Sequence, residues 1–420
     1  MKKIGFLTIG LLLLSGCADK VQNKYNRYEP VYTDYATFRT PPVFESPRNI
    51  DNTSQIYING DYFFIVETDK GIHFIDNSNS SSPSNIGFLE VDGCTGLSIR
   101  GSSMYVNSFI DLIVLDITTI HHPVEIARIQ DAFPMAVPTM EKSYPVATID
   151  KNEGVVTSWK IKQVKEKADD YTMWWNNCWN CGFESTDPLV TFDANSGSAS
   201  APTGTAGSIT KFSILNDYLY VMDGFSLKPF DIANATSPVE KTEVGIWGNV
   251  ETLFPYENYL FMGTPSGMLV YSVVNPEYPT YVSQISHARG CDPVVVQDDF
   301  AYVTVRSGGP CGGSVNQLDV IDVSDMSSPI LVAEFEMKNP HGLGISGNRL
   351  FVCDGNAGLK VFDAANPVNC GNNLLETFNN VKAIDVIPLN GLLMMIGEDG
   401  IYQYDYSNES DVQLISTFNF

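Results

Sequence analysis

A short strand pattern that ends in a small polar residue recurs along this 420-residue chain. Each copy has aliphatic or aromatic residues at alternating positions and then Asp or, once, Ser, and a link rich in Ser, Asn and Pro follows. Successive copies lie about 40 to 50 residues apart, except for a gap of about 115 residues between Asp116 and Asp231. The copies are Ile72–Asp76, Leu112–Asp116, Leu227–Asp231, Met268–Ser272, Leu318–Asp322, Leu359–Asp363 and Ile401–Asp405.

Each copy is the third of four short strands in a repeating unit. A period near 40 residues with four strands per unit is typical of a β-propeller blade. One such meander cannot bury both faces alone, whereas blades packed radially around an axis bury each other's faces. We therefore predict an all-β fold, a β-propeller of four-stranded blades over residues 49–420. The links before the fourth strands contain Pro83, Pro123, Pro238, Pro279, Pro329 and Pro367.

The long gap contains one more candidate unit, Pro145–Ile149 followed by Val155–Trp159. It brings the predicted number of blades to eight, with seven as the alternative. An insertion at about residues 165–206 then interrupts the period.

The third-strand pattern, Leu-x-Val-x-Asp with Pro a few residues further on, resembles the LVIVD repeat of bacterial and archaeal surface proteins. The resemblance covers about residues 50–420 and implies a β-propeller. It implies no catalytic residues, because the family has no agreed catalytic set.

The start of the chain resembles a bacterial lipoprotein signal. Two lysines precede an apolar stretch, Ile4–Leu14, which is too short to cross a hydrocarbon core of about 30 Å as a helix. Leu-Ser-Gly then leads into Cys17, as in the lipobox, where cleavage precedes a cysteine that carries diacylglycerol. We predict a signal peptide at residues 1–16 and lipid attachment at Cys17.

Residues 17–48 are polar and rich in Tyr and Pro, and are predicted to be a tether that packs in part on the body. No later stretch is apolar enough for a membrane span, so the lipid is the predicted anchor. We expect an exported, lipid-anchored protein, with the outer membrane or cell surface favoured. Asp19, a retention signal in some Gram-negative sorting systems, leaves the periplasmic face of the inner membrane open.

The charge of the chain excludes one class of partner. With 25 basic and 49 acidic residues, the formal net charge is −24, which argues against nucleic-acid binding and against broad contact with anionic lipid. No nucleophile elbow, phosphate-binding loop, dinucleotide fingerprint or zinc-protease motif is present. We therefore expect no cofactor and no metal, and we expect a monomer.

The recurring Asp has two interpretations, a ring of functional carboxylates or a residue whose oxygens accept N–H bonds in the following turn. Its presence in six units favours the structural role, because an active site is confined to a few blades. The same reasoning favours turn capping for Asp223 and Asp354.

Polar residues that break the repeat gather in units six and seven. They lie on the face that holds the turns between strands two and three and the links between blades, which surrounds the mouth of the central channel. We predict a polar binding pocket there, with ordinary loop polarity as the alternative. The candidates are His287, Arg289, Asp292, Arg306, His341 and Asp354.

The insertion contains three tryptophans, Trp174, Trp175 and Trp179. Trp is favoured at binding hot spots and on sugar-stacking surfaces. The insertion is therefore a second candidate binding element, and a loop that covers a blade edge is the alternative.

Two pairs of cysteines are candidate disulfides of an exported protein. Cys291 and Cys311 belong to one unit and to one face. Cys178 and Cys181 form a CxxC motif, for which a local disulfide is favoured over a redox or zinc site.

A bond between Cys353 and Cys370 is not expected. About five strand residues, roughly 16 Å, separate their levels in the blade, whereas disulfide Cα atoms lie within about 7 Å. The sequence does not assign a state to Cys94.

Two functions remain open. The first is a non-catalytic binding or scaffold protein for a protein or glycan partner. The second is a glycan- or ester-directed enzyme at the mouth of units six and seven, with its acid and base among His287, Asp292, His341 and Asp354.

Overall fold

Seven four-stranded antiparallel meanders form the body of the protein. The computed structural model describes residues 22–51, 53–167, 191–192, 205–208, 211–247, 250–286, 293–307, 314–408 and 411–420. Within these ranges the blades are arranged as a β-propeller, as predicted, and each blade is contiguous in sequence. No helix in the described part of the chain is long and apolar enough to cross a membrane.

The blades follow the chain from the first inner strand to the last outer one. Blade 1 contains Thr53–Asn59, Tyr62–Glu67, Gly71–Asp76 and Ser84–Glu90, and blade 2 contains Leu97–Arg100, Ser103–Ser108, Asp111–Asp116 and Val124–Ile129. Blade 3 contains Phe212–Leu215, Tyr218–Asp223, Ser226–Asp231 and Val239–Glu240, with Val244–Gly245 beside its third strand. Blade 4 contains Thr252–Tyr256, Tyr259–Thr264, Gly267–Ser272 and Thr280–Ser286.

The last three blades repeat the same order. Blade 5 contains Val294–Gln297, Phe300–Val305, Gln317–Asp322 and Ile330–Glu336. Blade 6 contains Leu343–Ser346, Arg349–Cys353, Leu359–Asp363 and, after the 3-10 helix Pro367–Asn372, Leu374–Phe378. Blade 7 contains Ala383–Leu389, Leu392–Gly397, Gly400–Asp405 and Gln413–Asn419.

Burial along a blade explains its sequence pattern. The second and third strands are buried on both faces, as in Phe300–Val305, because a neighbouring blade packs against each face. The outer strand Ile330–Glu336 alternates between exposed and half-buried residues, because its edge of the blade faces solvent. The continuous apolar runs of the inner strands are therefore the signature of the propeller.

The Asp that ends the third strand closes the next turn, which confirms its predicted structural role. Asp76 Oδ1 accepts the backbone N–H of Ser78 at 2.9 Å, and Asp405 Oδ1 accepts that of Ser407 at 2.8 Å. Each such bond satisfies a backbone donor where the chain leaves the sheet. The other four bonds join Asp116 to Thr118, Asp231 to Ala233, Asp322 to Ser324 and Asp363 to Ala365.

The prediction of eight blades is wrong, and seven, the stated alternative, is the observed number. The candidate unit at residues 145–159 is not a blade, because Val155–Lys167 pairs with Gln22–Thr33 in a two-stranded antiparallel sheet. We call this sheet the ribbon. Units six and seven of the sequence are consequently blades 5 and 6.

Part of the predicted tether packs on the body. After the ribbon strand Gln22–Thr33, Asp34 caps the short helix Tyr35–Phe38 by accepting the backbone N–H of Ala36 and Thr37. Val43–Glu45 then adds a strand to the outer edge of blade 1.

A strand from the insertion lies in the central channel. Thr205–Ser208 pairs with the innermost strand of blade 1 and contacts the innermost strands of blades 4, 6 and 7. Thr191–Phe192 pairs with it in turn. The backbone of this strand therefore lies within the central channel.

Candidate binding site at the channel mouth

Most predicted site residues lie outside the described ranges. They are Cys17, Trp174, Trp175, Cys178, Trp179, Cys181, His287, Arg289, Cys291, Asp292 and Cys311. Arg306, His341 and Asp354 are described, and their surroundings test part of the prediction.

Asp354 is a buried structural carboxylate. Its Oδ1 accepts the backbone N–H of Lys338 at 3.0 Å and that of Asn339 at 2.6 Å, and its Oδ2 lies 2.6 Å from Lys360 Nζ. The side chain is fully buried. Asp354 therefore holds the link that enters blade 6, in place of the predicted turn.

His341 is connected to Asp354 through Asn339. Asn339 donates its backbone N–H to Asp354, and its side-chain Nδ2 lies 3.1 Å from His341 Nε2. The backbone of His341 is fixed as well, because its N–H donates to Cys353 O at 2.7 Å and its carbonyl accepts from Thr304 Oγ1. These bonds connect two predicted residues, and they fix the backbone of the link that carries His341.

A different set of charged residues surrounds a pocket on the same face. The pocket, of about 230 Å³, lies among the turns between strands two and three of blades 1 to 3 and beneath residues 133–140. Its polar lining includes Asp69, Thr95, Asn107, Lys211 and Asp223. The sequence reasoning did not select these residues as binding candidates, although Lys211 directly precedes the first strand of blade 3.

The two carboxyl groups that line this pocket have raised pKa values. Burial raises the pKa of Asp69, against the opposing N–H of Thr139, which donates to Asp69 Oδ2 at 2.8 Å. Burial also raises the pKa of Asp223, whose Oδ2 lies 4.0 Å from Lys228 Nζ. Both carboxyls are half-buried, so each one can be neutralised or paired by an incoming donor.

Lys211 is the cation of the pocket. Its side chain is exposed to solvent, yet the surrounding protein lowers its pKa by desolvation, while Glu251 and Asp223 oppose that shift.

Glu251 extends this charged row toward blade 5. Burial raises the pKa of Glu251 to about 7, against the opposing charges of Lys211 and Arg306. Glu251 directly precedes the first strand of blade 4, just as Lys211 precedes that of blade 3. Arg306, a predicted residue, acts on the charge of Glu251, although it follows the second strand of blade 5 and does not precede a first strand. A charged residue directly before an inner strand is the sequence signal that Lys211 and Glu251 share.

A second concavity lies beside the base of the ribbon. It has a volume of about 580 Å³ and mainly apolar walls, including Ile110, Met135 and Val155. Tyr35 Oη donates to Lys151 O at 2.9 Å and Lys151 Nζ donates to Pro134 O at 3.0 Å at its rim. These bonds join the N-terminal segment to the long link after blade 2.

Three cysteines are buried free thiols. Cys353 and Cys370 are not bonded to each other, which confirms that prediction, and Cys94 is also free. Burial raises the pKa of all three, that of Cys370 to about 11. Among the described residues, no group of three or more His, Cys, Asp or Glu could hold a metal ion.

Comparison with known sequences identifies the repeat. The LVIVD repeat matches residues 51–89, 204–245, 288–336 and 341–371, which fall in blades 1, 3, 5 and 6. The chain therefore carries LVIVD repeats on a β-propeller. A search of curated proteins finds no match.

Solved structures with the same fold are distant in sequence. The computationally designed Ika8 protein is 11% identical with a TM-score of 0.51, over 88% of this chain and 87% of Ika8. The periplasmic gluconolactonase PpgL of Pseudomonas aeruginosa is 12% identical with a TM-score of 0.51, over 89% of this chain and 99% of PpgL. At such identities the similarity shows the fold alone.

Proposed function

We propose that this LVIVD-repeat β-propeller is an exported protein, anchored through lipid on Cys17, that binds a protein or glycan partner at its channel mouth without catalysis. The outer membrane or the cell surface is the proposed location. The observation that carries the binding role is the charged pocket of about 230 Å³ that Lys211, Asp69 and Asp223 line.

The composition of the pocket supports recognition of a polar partner. Lys211 offers donors, Asp69 and Asp223 offer acceptors, and Asn107 also lines the pocket. Such a mixture suits the hydroxyl groups of a glycan or the backbone and polar side chains of a protein loop. Because the Asp354 carboxylate accepts the backbone N–H groups of Lys338 and Asn339, the proposed site is centred on blades 1 to 3.

The anchor is tested by its own chemistry. Cells that produce the wild-type chain and are fed radioactive palmitate should label the protein, and Cys17→Ser should abolish both the label and the cleavage. Palmitate incorporation into the Cys17→Ser variant would refute the attachment site. Surface exposure is tested separately with protease added to intact cells.

The binding role is tested with a glycan array and with whole cells as probes. Lys211→Gln should weaken binding of the purified protein at least tenfold, because it removes the cation of the pocket. Lys382→Gln is the matched control, since Lys382 is an exposed lysine of blade 7. Equal binding by both variants, with unchanged thermal unfolding, would remove the mouth from consideration, and Trp174→Ala/Trp175→Ala/Trp179→Ala then tests the insertion.

A second candidate function is a glycan- or ester-directed enzyme at the same mouth. Glu251 favours it, because a carboxyl with a pKa of about 7 can act as general acid or base near neutral pH. Turnover of a polysaccharide and ester panel that Glu251→Gln abolishes would support this function. No turnover by the wild-type protein over that panel would exclude it for those substrates.

A further inference from the structure

The ribbon carries charge of the opposite sign to the rest of the chain. Its two strands, Gln22–Thr33 and Val155–Lys167, contain six basic and two acidic residues, which gives a formal charge of +4. Because the whole chain has a net charge of −24, the remaining residues carry −28. The basic residues of the ribbon are Lys24, Arg27, Lys160, Lys162, Lys165 and Lys167.

The strand register places like charges opposite each other. Lys24 pairs with Lys165, and Arg27 pairs with Lys162. Directly opposed like charges destabilise a pair of strands, so this pattern does not serve the stability of the ribbon. Glu29 accepts from Arg27 Nη2 at 2.7 Å and also lies opposite Lys160. Positive charge therefore remains in excess in the distal half of the ribbon, residues 22–27 and 162–167.

Aromatic contacts fix the proximal half of the ribbon to the long link after blade 2. The ring of Tyr28 lies 5.8 Å from those of Trp159 and Tyr144, and Trp159 Nε1 donates to Pro138 O at 2.9 Å. The backbone of Tyr28 bonds with Pro145 O and with the N–H of Ala147. The basic distal half therefore extends from a fixed base.

The basic side chains of the distal half are open to contact. Lys24, Lys162 and Lys165 are exposed, and Ile161, which precedes Lys162, is 53% exposed. Gln22 follows Cys17 by five residues, which reach at most about 17 Å when fully extended. A lipid on Cys17 would consequently hold this end of the ribbon next to the bilayer surface.

We infer that the ribbon is a second membrane contact, whose lysines bind the headgroups of anionic phospholipids. The inference rests on the proposed lipid at Cys17 for its location. The diacylglycerol retains the protein, and the ribbon orients it: positive charge is drawn to the anionic surface, and the acidic propeller is repelled from it. The negative charge that disfavours contact with anionic lipid belongs to the propeller, whereas the ribbon is positively charged.

The test measures protection of individual lysines. The lipidated full chain is reconstituted in vesicles of phosphatidylcholine, or of phosphatidylcholine mixed with phosphatidylglycerol, and labelled with an amine-reactive reagent before peptide mass spectrometry. Labelling of Lys162 and Lys165 should be about fivefold slower on the anionic vesicles. Lys338 and Lys382, exposed on the propeller, should be labelled equally on both, and high salt should abolish the difference.

Two double variants with the same change in net charge separate the ribbon from overall charge. In Lys162→Gln/Lys165→Gln, the protection of Lys24 and Lys160 by anionic vesicles should be lost. In Lys338→Gln/Lys382→Gln it should persist.

Other outcomes would overturn the inference. Equal labelling of the ribbon lysines on neutral and anionic vesicles would refute it. Protection by soluble polyglutamate but not by vesicles would replace the lipid with an acidic macromolecule. The mass of the peptide that contains Cys17 reports lipid attachment independently, so protection on anionic vesicles without that lipid would refute the anchor and support the ribbon contact.

Discussion

Asn77 and Gln403 exchange two amide hydrogen bonds across the junction between the first and last blades. Asn77 Nδ2 donates to Gln403 Oε1 at 3.0 Å, and Gln403 Nε2 donates to Asn77 Oδ1 at 2.8 Å. Gln403 is fully buried, and the rings of Phe63 and Phe418 meet edge to face beside this junction. Because every blade is contiguous in sequence, side chains rather than a shared blade close the ring here.

Loss of this amide pair should destabilise the propeller. We expect Gln403→Ala to lower the free energy of unfolding by about 1–3 kcal/mol, because the amide of Asn77 loses its partner in a closed site. Urea unfolding measures the effect. Asn369→Ala, which breaks the exposed amide pair of Asn369 and Asn372, is the control and should change stability by no more than about 0.5 kcal/mol.

The interaction itself is measured by a double-mutant cycle. Asn77→Ala/Gln403→Ala should cost less than the sum of the two single changes, because either one alone removes both bonds. Strict additivity would show that the two amides do not depend on each other.

A buried carboxylate in blade 5 makes stability depend on pH. Asp319 is fully buried, its Oδ2 has no hydrogen-bond partner among the described residues, and Glu334 lies opposite it on the neighbouring strand. Burial raises the pKa of Asp319 to about 6, against the opposing bond from Gln317, and Glu334 raises it further. Because the folded value lies above the ordinary 3.8, stability should fall as pH rises from about 4 to 6.

Asp319→Asn should remove this dependence. Relative to the wild type, the variant should gain about 1–3 kcal/mol at pH 8 and nothing below pH 4, where the carboxyl is protonated in both states. Glu336→Gln, at an exposed position, should leave the pH profile unchanged. A stability difference between Asp319→Asn and the wild type that does not vary with pH would contradict the assignment.

Gly342 should tolerate no side chain. A Cβ at this position would lie 1.7 Å from Asp385 Oδ1, and the Gly342 N–H donates to Ile384 O, so the link cannot move away without losing that bond. We expect Gly342→Ala to cost about 1–3 kcal/mol in thermal or urea unfolding. Gly245→Ala is the control, because a Cβ there meets nothing within 4 Å.

The three buried cysteines should be unreactive in the folded protein. At pH 8, Cys94, Cys353 and Cys370 should resist alkylation, because they are buried and their pKa values are raised. Peptide mass spectrometry before and after unfolding measures this. Alkylation of native Cys353 would show that blade 6 opens at that strand.

The third-strand pattern predicted the fold because each of its residues has a local structural role. An Asp such as Asp76 accepts a backbone N–H where the chain turns out of the sheet, and apolar runs such as Leu318–Asp322 are buried where two blades meet. Strand pairing could not be predicted in this way, because the alternation of apolar and polar residues does not specify which strand is the neighbour. Val155–Trp159 has the pattern of a blade strand, but the strand continues to Lys167, and its residues from Ser158 to Lys165 are exposed or half-buried.

The candidate site was only partly predictable for a similar reason. Arg306 was selected from loop polarity near two histidines, and the structure places its charge near Glu251 instead. Which loops meet around a mouth depends on the number of blades and on the 133–140 link that covers blades 1 to 3. The sequence of a single repeat unit specifies neither the number of blades nor the position of this link.

The strand in the channel has a consequence for the order of assembly. Thr205–Ser208 precedes five of the seven blades in the chain, yet it contacts the inner strands of blades 4, 6 and 7. During synthesis the channel strand is therefore translated before blades 3 to 7. As blades 4, 6 and 7 fold, each packs against a neighbouring blade and against a strand that has already been synthesised.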